Sequence, residues 1–423
     1  MTRRFWLALH RYAGLAAALF LIIAGLTGSL LAFYPELEQW LNPERHRVPV
    51  QNSPVLDGFS LSNKAAEAEP HAWINYIPLE IRPGKTVDFI LKPKTNPETG
   101  QPYQLSHNVV YLNPYNGDIA SFGGDNKLWP LNRKNILDFI YRVHYSLALG
   151  ETGTTIFGIA ALIWTLDCFI AFYLTFPKLH SNRAGLPPVA AAFSSPSTKQ
   201  KCFWLRWAVA WRIKWPSSTL RLNFDLHRAG GLWTWLALLV FAWSSVMFNL
   251  QSVYKPVMST LFKMPELNEI FRPDLPQPRD QPALDWQLAY QAGQSLMQGQ
   301  ARKHHFSIIT EKDLSYLPEK GLFVFTVKSD KDIGTSAITE VFFDGDTGEF
   351  VNIFLPSGQY SGYTLTIWLQ ILHMAKIWGL PYKVFVCLLG LVLTMLSITG
   401  IYIWFKKHQA AAIKKSSHGN VGC

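Results

Sequence analysis

The sequence predicts a helical membrane protein of four transmembrane helices, built as two parallel repeats that each run helix, α+β segment, helix. Three observations carry this reading: four long apolar runs, basic residues gathered on one side of them, and an internal duplication.

The chain has 423 residues, 49% of them hydrophobic, yet its mean hydropathy is only +0.08 because soluble-like stretches dilute the apolar ones. Tyr12–Phe33, Thr154–Phe176, Ala229–Leu250 and Tyr382–Phe405 each reach the roughly 20 residues that cross about 30 Å of hydrocarbon as a helix. A helix satisfies its own backbone in lipid, where water cannot. Asp167 is the one acid inside any of these runs. Arg3 and Arg4 before the first run resemble the start of a secretory signal, but the run is longer than such signals use and has no small-residue cleavage site. It is expected to stay as an anchor.

Orientation follows from the flanking cations. Arg3, Arg4 and Arg11 precede the first run, and the loop 177–225 carries eight Lys or Arg against the single acid Asp225. Lys406, Lys407, Lys414 and Lys415 follow the last run. All fall on one side, which the rule makes cytoplasmic, so both termini are expected there. The net charge of +10 then reflects orientation and anionic headgroups, with no nucleic-acid partner required. Cys168 and Cys387 lie in spans, Cys202 and Cys423 on the cytoplasmic side, and none has disulfide or metal-site spacing.

The duplication is read from three landmarks. Leu9-His10-Arg11 through Leu15 returns as Leu226-His227-Arg228 through Leu232, 217 residues later. Val110–Asp118 returns as Val341–Glu349, and His144 with Gly150 as His373 with Gly379. Each half starts and ends on the same side, so the repeats are parallel. The expected division is 1–34, first span; 35–143, first exported α+β segment; 144–178, second span; 179–225, basic cytoplasmic loop; 226–250, third span; 251–366, second exported segment; 367–405, fourth span; and 406–423, cytoplasmic tail. Asn116-Gly117 and Thr347-Gly348 interrupt β-prone runs and predict hairpins. Asp285–Gly299 has helical spacing.

Of twelve histidines, four recur in both halves: His10 with His227 and His144 with His373. A twofold axis would set each pair across a central site, an arrangement that suits an iron held by two axial imidazoles within a haem. Gly14 and Gly231 each stand four residues after a histidine, on its helical face, and remove the side chain where a macrocycle would lie. Arg11 and Arg228 follow the same histidines and are candidates for cofactor carboxylates. The plainer alternatives are interfacial histidines and a small-residue stripe that serves helix packing. Asp167 has Leu396 as its counterpart and so departs from the repeat; it reads either as a proton or quinol residue or as a hydrogen bond to a neighbouring helix. His46, His71, His107, His304 and His305 read as surface residues, and Trp6, Trp40, Trp368, Trp378 and Trp404 as an aromatic belt.

At these residues the sequence resembles the PepSY-associated transmembrane family. The resemblance runs from Leu9-His10-Arg11 through Thr27-Gly28 and Tyr34–Glu38 to the Tyr111–Asp118 turn and His144 with Gly150 and Gly153. It repeats in the second half and ends in Thr399-Gly400-Ile401-Tyr402-Ile403-Trp404. Ile170-Ala171 and Ser244-Ser245 depart from the family pattern. The resemblance implies two small PepSY-like periplasmic domains on a bacterial inner-membrane protein of iron acquisition. It further implies two b-type haems carried by His10, His227, His144 and His373, and electron transfer from a quinol or cytoplasmic reductant to a periplasmic ferric siderophore. Fold-level analogy leaves other readings open: a membrane-anchored binding or regulatory module without redox activity, or a metal transporter.

Overall fold

The computed structural model of the protein describes residues 2–124, 129–177, 203–265, 272–336 and 338–419. Most of the basic loop, 178–202 with its Pro187-Pro188 and Ser194–Thr198 stretches, lies outside these residues, as does Cys423. Along the chain, α1 (Arg3–Leu31) and the short α2 (Tyr34–Leu41) lead to α3 (Gly58–Ala68) and strands β1 (Ala72–Trp73), β2 (Tyr76–Pro78), β3 (Val87–Ile90) and β4 (Lys92–Pro93). The hairpin of β5 (Val109–Leu112) and β6 (Ile119–Gly123) precedes α4 (Ile136–Ser146) and α5 (Gly150–Thr175). Next come α6 (Thr219–Asn249), α7 (Gln251–Leu261) and α8 (Trp286–His304). Strands β7 (Ile308–Leu317), β8 (Leu322–Ser329), β9 (Thr339–Asp344) and β10 (Phe350–Phe354) follow, and α9 (Ser361–His373) and α10 (Gly379–Gly419) close the order.

Among the described residues, four helices are long and apolar enough to cross a membrane: α1, α5, α6 and the Gly379–Ala412 part of α10. Each starts before the apolar run that predicts it, at Arg3, Gly150, Thr219 and Gly379. Hydropathy marks the stretch that faces lipid, whereas internal hydrogen bonds continue the helix through its polar flank. The chain divides into a helical unit, Met1–Ala32 with Tyr141–Tyr254 and Leu380–Cys423, and an α+β unit, Phe33–Ile140 with Lys255–Gly379.

In the helical unit α1 and α10 meet backbone to backbone. A Cβ on Gly25 would lie 2.5 Å from Thr394 Oγ1 and 2.6 Å from the Gly390 carbonyl, and a Cβ on Gly390 would lie 2.6 Å from the Gly25 carbonyl. Ser29 Oγ bridges the same crossing by donating both to Gly25 O (2.8 Å) and to Cys387 O (2.9 Å). Small residues bring helices this close where lipid supplies no hydrophobic drive between them. A break separates α4 from α5, where Leu147, Ala148 and Gly150 are left-handed, and Ala375, Trp378 and Gly379 are left-handed likewise ahead of α10.

The α+β unit departs from the expectation that segments 35–143 and 251–366 form separate modules. Its five-stranded antiparallel sheet runs β10-β9-β8-β7-β2, so a strand of the first segment completes the sheet of the second. Tyr76 pairs with Ser315, Ile77 with Leu314 and Pro78 with Asp313. An open β7 edge would expose unpaired backbone groups, and β2 covers it. The rest of the first segment forms a three-stranded sheet, β3-β5-β6, and the pair β1-β4.

Helix α8 packs on the large sheet through buried Ala289 and Met297, and Gly293 permits the approach, since its Cβ would meet Phe325 Cβ at 2.9 Å. It runs five residues beyond the expected end, capped by Asp285, whose carboxylate accepts from Gln287 N at 2.8 Å. Helix α3, which the sequence reading leaves unassigned, is capped the same way by Asp57. Both hairpin turns are as expected and match in detail. Asn113 N donates to Asp118 O and Asp344 N to Glu349 O, while Gly117 and Gly348 adopt φ 75° and 73°.

Asp313, Thr326 and Glu340 stand side by side across β7, β8 and β9. Thr326 Oγ1 donates to Asp313 Oδ1 at 3.0 Å. Burial pushes the Asp313 carboxyl up to about 6, and burial with the neighbouring Asp313 and Asp332 pushes Glu340 up to about 8.

Two predictions follow from this packing. Gly390→Leu forces α1 and α10 apart and is expected to cost about 1–3 kcal/mol, the usual range for overpacking, read as a lowered melting temperature in detergent. Glu340, raised from 4.5 to about 8, makes the folded unit bind more protons than the unfolded chain between those values. Its stability is therefore fullest below pH 4.5 and falls as the pH rises through 8. Glu340→Gln should flatten this decline and recover on the order of a few kcal/mol above pH 8, measured by denaturant titration at a series of pH values.

Candidate functional site

A cavity of about 640 Å³ opens within the helical unit, its wall built by α1, α5, α6 and α10. His10, His227, Gly14, Gly231, Arg11 and Arg228 all line it. The His10 and His227 rings lie 6.1 Å apart, centroid to centroid, with their planes at 54°.

Each ring is oriented through Nδ1. His10 Nδ1 is 2.9 Å from both Oδ1 and Oδ2 of Asp167 on α5. His227 Nδ1 is 2.9 Å from the Leu396 carbonyl and 3.1 Å from Thr399 Oγ1 on α10. A carboxylate and a backbone carbonyl can only accept, so both Nδ1 atoms carry a proton, and in the neutral imidazole Nε2 keeps the unshared pair. The neutral imidazole with Nδ1–H bound to an acceptor is the form that ligates metals.

The α10 side of His227 requires a glycine. A Cβ on Gly400 would stand 3.2 Å from His227 Cε1. His144 repeats the arrangement against α1: its Nδ1 is 2.9 Å from Thr27 Oγ1, and a Cβ on Gly28 would lie 3.0 Å from its Cε1. Thr27 donates its own proton to Ile23 O at 2.6 Å, so the His144 Nδ1 is again the donor. His373 ends α9 in the α+β unit.

Gly14 and Gly231 differ from these two glycines. A Cβ on Gly14 would meet nothing within 4 Å, and one on Gly231 only Leu396 at 3.8 Å. Protein packing therefore does not demand them, and their bare faces widen the cavity wall. The arginines also separate. Arg11 is exposed on the cavity rim, while Arg228 Nη2 is spent on Asp225 Oδ1, Val209 O and Arg212 O. The buried Arg228 Nε has no partner among the described residues. Asp225, 0% exposed, thus holds both Arg228 and Arg221.

The plainer reading of Asp167, a hydrogen bond to a neighbouring helix, is the one observed. The sequence reading does not anticipate Leu396 O, Thr399 and Thr27 as acceptors. The only signal for them is a Thr-Gly pair in α1 and another in α10. His46 is not a surface residue: its Nε2 is buried without a hydrogen-bond partner among the described residues, and burial lowers its pKa.

Residues and cavity fit a haem. Two imidazoles on the wall of one cavity, each with Nδ1 tied to an acceptor, would be a donor set for a haem iron. Among the described residues no group of three His, Cys, Asp or Glu side chains converges on a metal-sized space, and a macrocycle would supply the remaining ligands to a two-imidazole site. The fold and site thus define a multi-pass membrane protein with a di-imidazole cavity among its spanning helices. The chain belongs to the family described as the PepSY-associated TM region, whose model matches residues 7–407. No curated protein matches it.

Asp225→Ala should release Arg228 and the 209–212 segment it pins, at about 1.5–3 kcal/mol for the charged hydrogen bonds lost. The check is the melting temperature together with faster proteolysis near Arg212.

Proposed function

We propose that the protein carries electrons across a bacterial inner membrane through b-type haem and delivers them to a ferric siderophore in the periplasm, for iron acquisition. The observation that carries this reading is the pair of imidazoles 6.1 Å apart, each with Nδ1 tied and Nε2 left as the basic nitrogen, in one cavity. Bound there, a b-type haem would take up and give back one electron at a time. His10 and His227 would hold it, with Asp167 and the Leu396 carbonyl fixing both ring orientations. The bare faces of Gly14 and Gly231 leave room for a flat ring, and Arg11 and Lys407 at the wall offer cations to carboxylates. A second haem would draw on the other repeated histidines, His144 and His373; that assignment rests on the sequence repeat.

The proposed topology places both termini in the cytoplasm, the two halves as parallel repeats, and the PepSY-like segments in the periplasm. The flanking cations support the orientation, and the matched turns at Asn113 and Asp344 support the duplication. The donor is a quinol or a cytoplasmic reductant. One electron reduces each ferric ion to ferrous, which hard oxygen ligands hold less strongly.

Reduced-minus-oxidised visible spectra of detergent-purified protein, with haem quantified per chain, test the proposal. The expected result is b-type bands at about two haems per chain, reduced to about half in His10→Ala or His227→Ala. Absence of haem under ample haem supply refutes it and favours a membrane-anchored binding module.

A further inference from the structure

The two cavity histidines are held by chemically different acceptors. His10 Nδ1 faces an anion, with both oxygens of Asp167 at 2.9 Å. His227 Nδ1 faces neutral groups, the Leu396 carbonyl at 2.9 Å and the Thr399 hydroxyl at 3.1 Å. Asp167 and Leu396 are equivalent positions 229 residues apart, so one half uses a side-chain carboxylate where the other uses its backbone. His144, in its own setting against α1, likewise has a neutral hydroxyl, Thr27.

Taking the haem reading of this cavity as its basis, we infer that Asp167 is a positioning residue that holds the His10–His227 centre at a lower reduction potential than a neutral acceptor would. A carboxylate on Nδ1–H draws that proton toward itself and makes Nε2 a stronger donor, as outer partners of metal-bound histidines do. A stronger donor and an added negative charge both favour ferric over ferrous iron. Uptake of one electron here makes and breaks no bond, and the electron comes from the donor of the proposed reaction. The side chain of Asp167 is only 12% exposed, so water screens its charge weakly. Nearby cations do not cancel it directly. Arg3 gives its guanidinium to the carbonyls of Leu174 and Phe176, Arg228 shares Asp225 with Arg221, and Asp167 itself meets the neutral His10 ring.

The test is a spectroelectrochemical titration of the haem-loaded full chain, comparing wild type, Asp167→Asn and Asp167→Glu. The spectral component missing from His227→Ala identifies this centre. Asparagine keeps the shape and an acceptor oxygen but removes the charge. At a fixed applied potential its ferrous-to-ferric ratio is expected to rise about tenfold, the difference between a charged and a neutral hydrogen bond, while Asp167→Glu titrates close to wild type. Asp167→Asn titrating with wild type overturns the inference. Loss of haem from both variants also overturns it, by assigning Asp167 a packing role, and loss from Asp167→Asn alone overturns it by assigning the carboxylate to haem retention. Wild-type protein without haem refutes the underlying reading instead, and pigment quantification reveals that before any titration.

Discussion

Everything in the helical unit depends on the crossing of α1 and α10 at Gly25 and Gly390, where neither helix has room for a Cβ. In lipid this contact gains little from apolar burial, since the tails are as apolar as leucine; dispersion between close backbones and the Ser29 bridge to Cys387 O supply the attraction. At 1.5 Å per residue the crossing stands about 22 Å along α1 from His10 and about 15 Å along α10 from Gly400. The closest approach thus lies well away from the two imidazoles, at the far end of a cavity whose wall reaches as far as Leu21 and Leu393, and the helices are free to spread where the imidazoles stand.

Within that space the protein fixes proton position more firmly than it fixes charge. For His10, His144 and His227 the partner of Nδ1 is an acceptor whose own proton is absent or directed elsewhere. A ring locked in this way presents one nitrogen for ligation and cannot exchange its two nitrogens without losing a buried hydrogen bond. The cations around the cavity are ordered by the same economy of partners. Arg3 and Arg228 are consumed by backbone carbonyls and Asp225, so they serve as struts.

The legible part of this protein is the part governed by periodicity. Long apolar runs located all four spans, and the duplicated histidines and glycines located the cavity wall, because a helix turns equal sequence spacing into a common face. What sequence spacing did not reveal were the acceptors. Leu396 contributes through its carbonyl, which its side chain does not announce. Asp167 looked anomalous because it lacks a repeat partner, and only the approach of α5 to α1 shows that it faces His10. The sheet shared between the two segments was hidden for a different reason. Strand β2 is only three residues long, includes Pro78, and pairs with β7 far along the chain, whereas alternation in a sequence reports a strand and not its neighbour.

That long-range pairing imposes an order on biogenesis. Glu80, just beyond β2, forms its salt bridge with Lys312, 232 residues farther along, and α5 and α6 intervene. A ribosome making this chain delivers the first segment, then two spans, before β7 exists to receive β2. During that interval Tyr76–Pro78 is an unpaired edge, kept short and interrupted by proline, features that discourage pairing with foreign strands. The first segment therefore cannot mature by itself: its final strand contact waits on the second half of the molecule, and a chain cut between the halves would leave the large sheet without its edge strand and β2 without a partner.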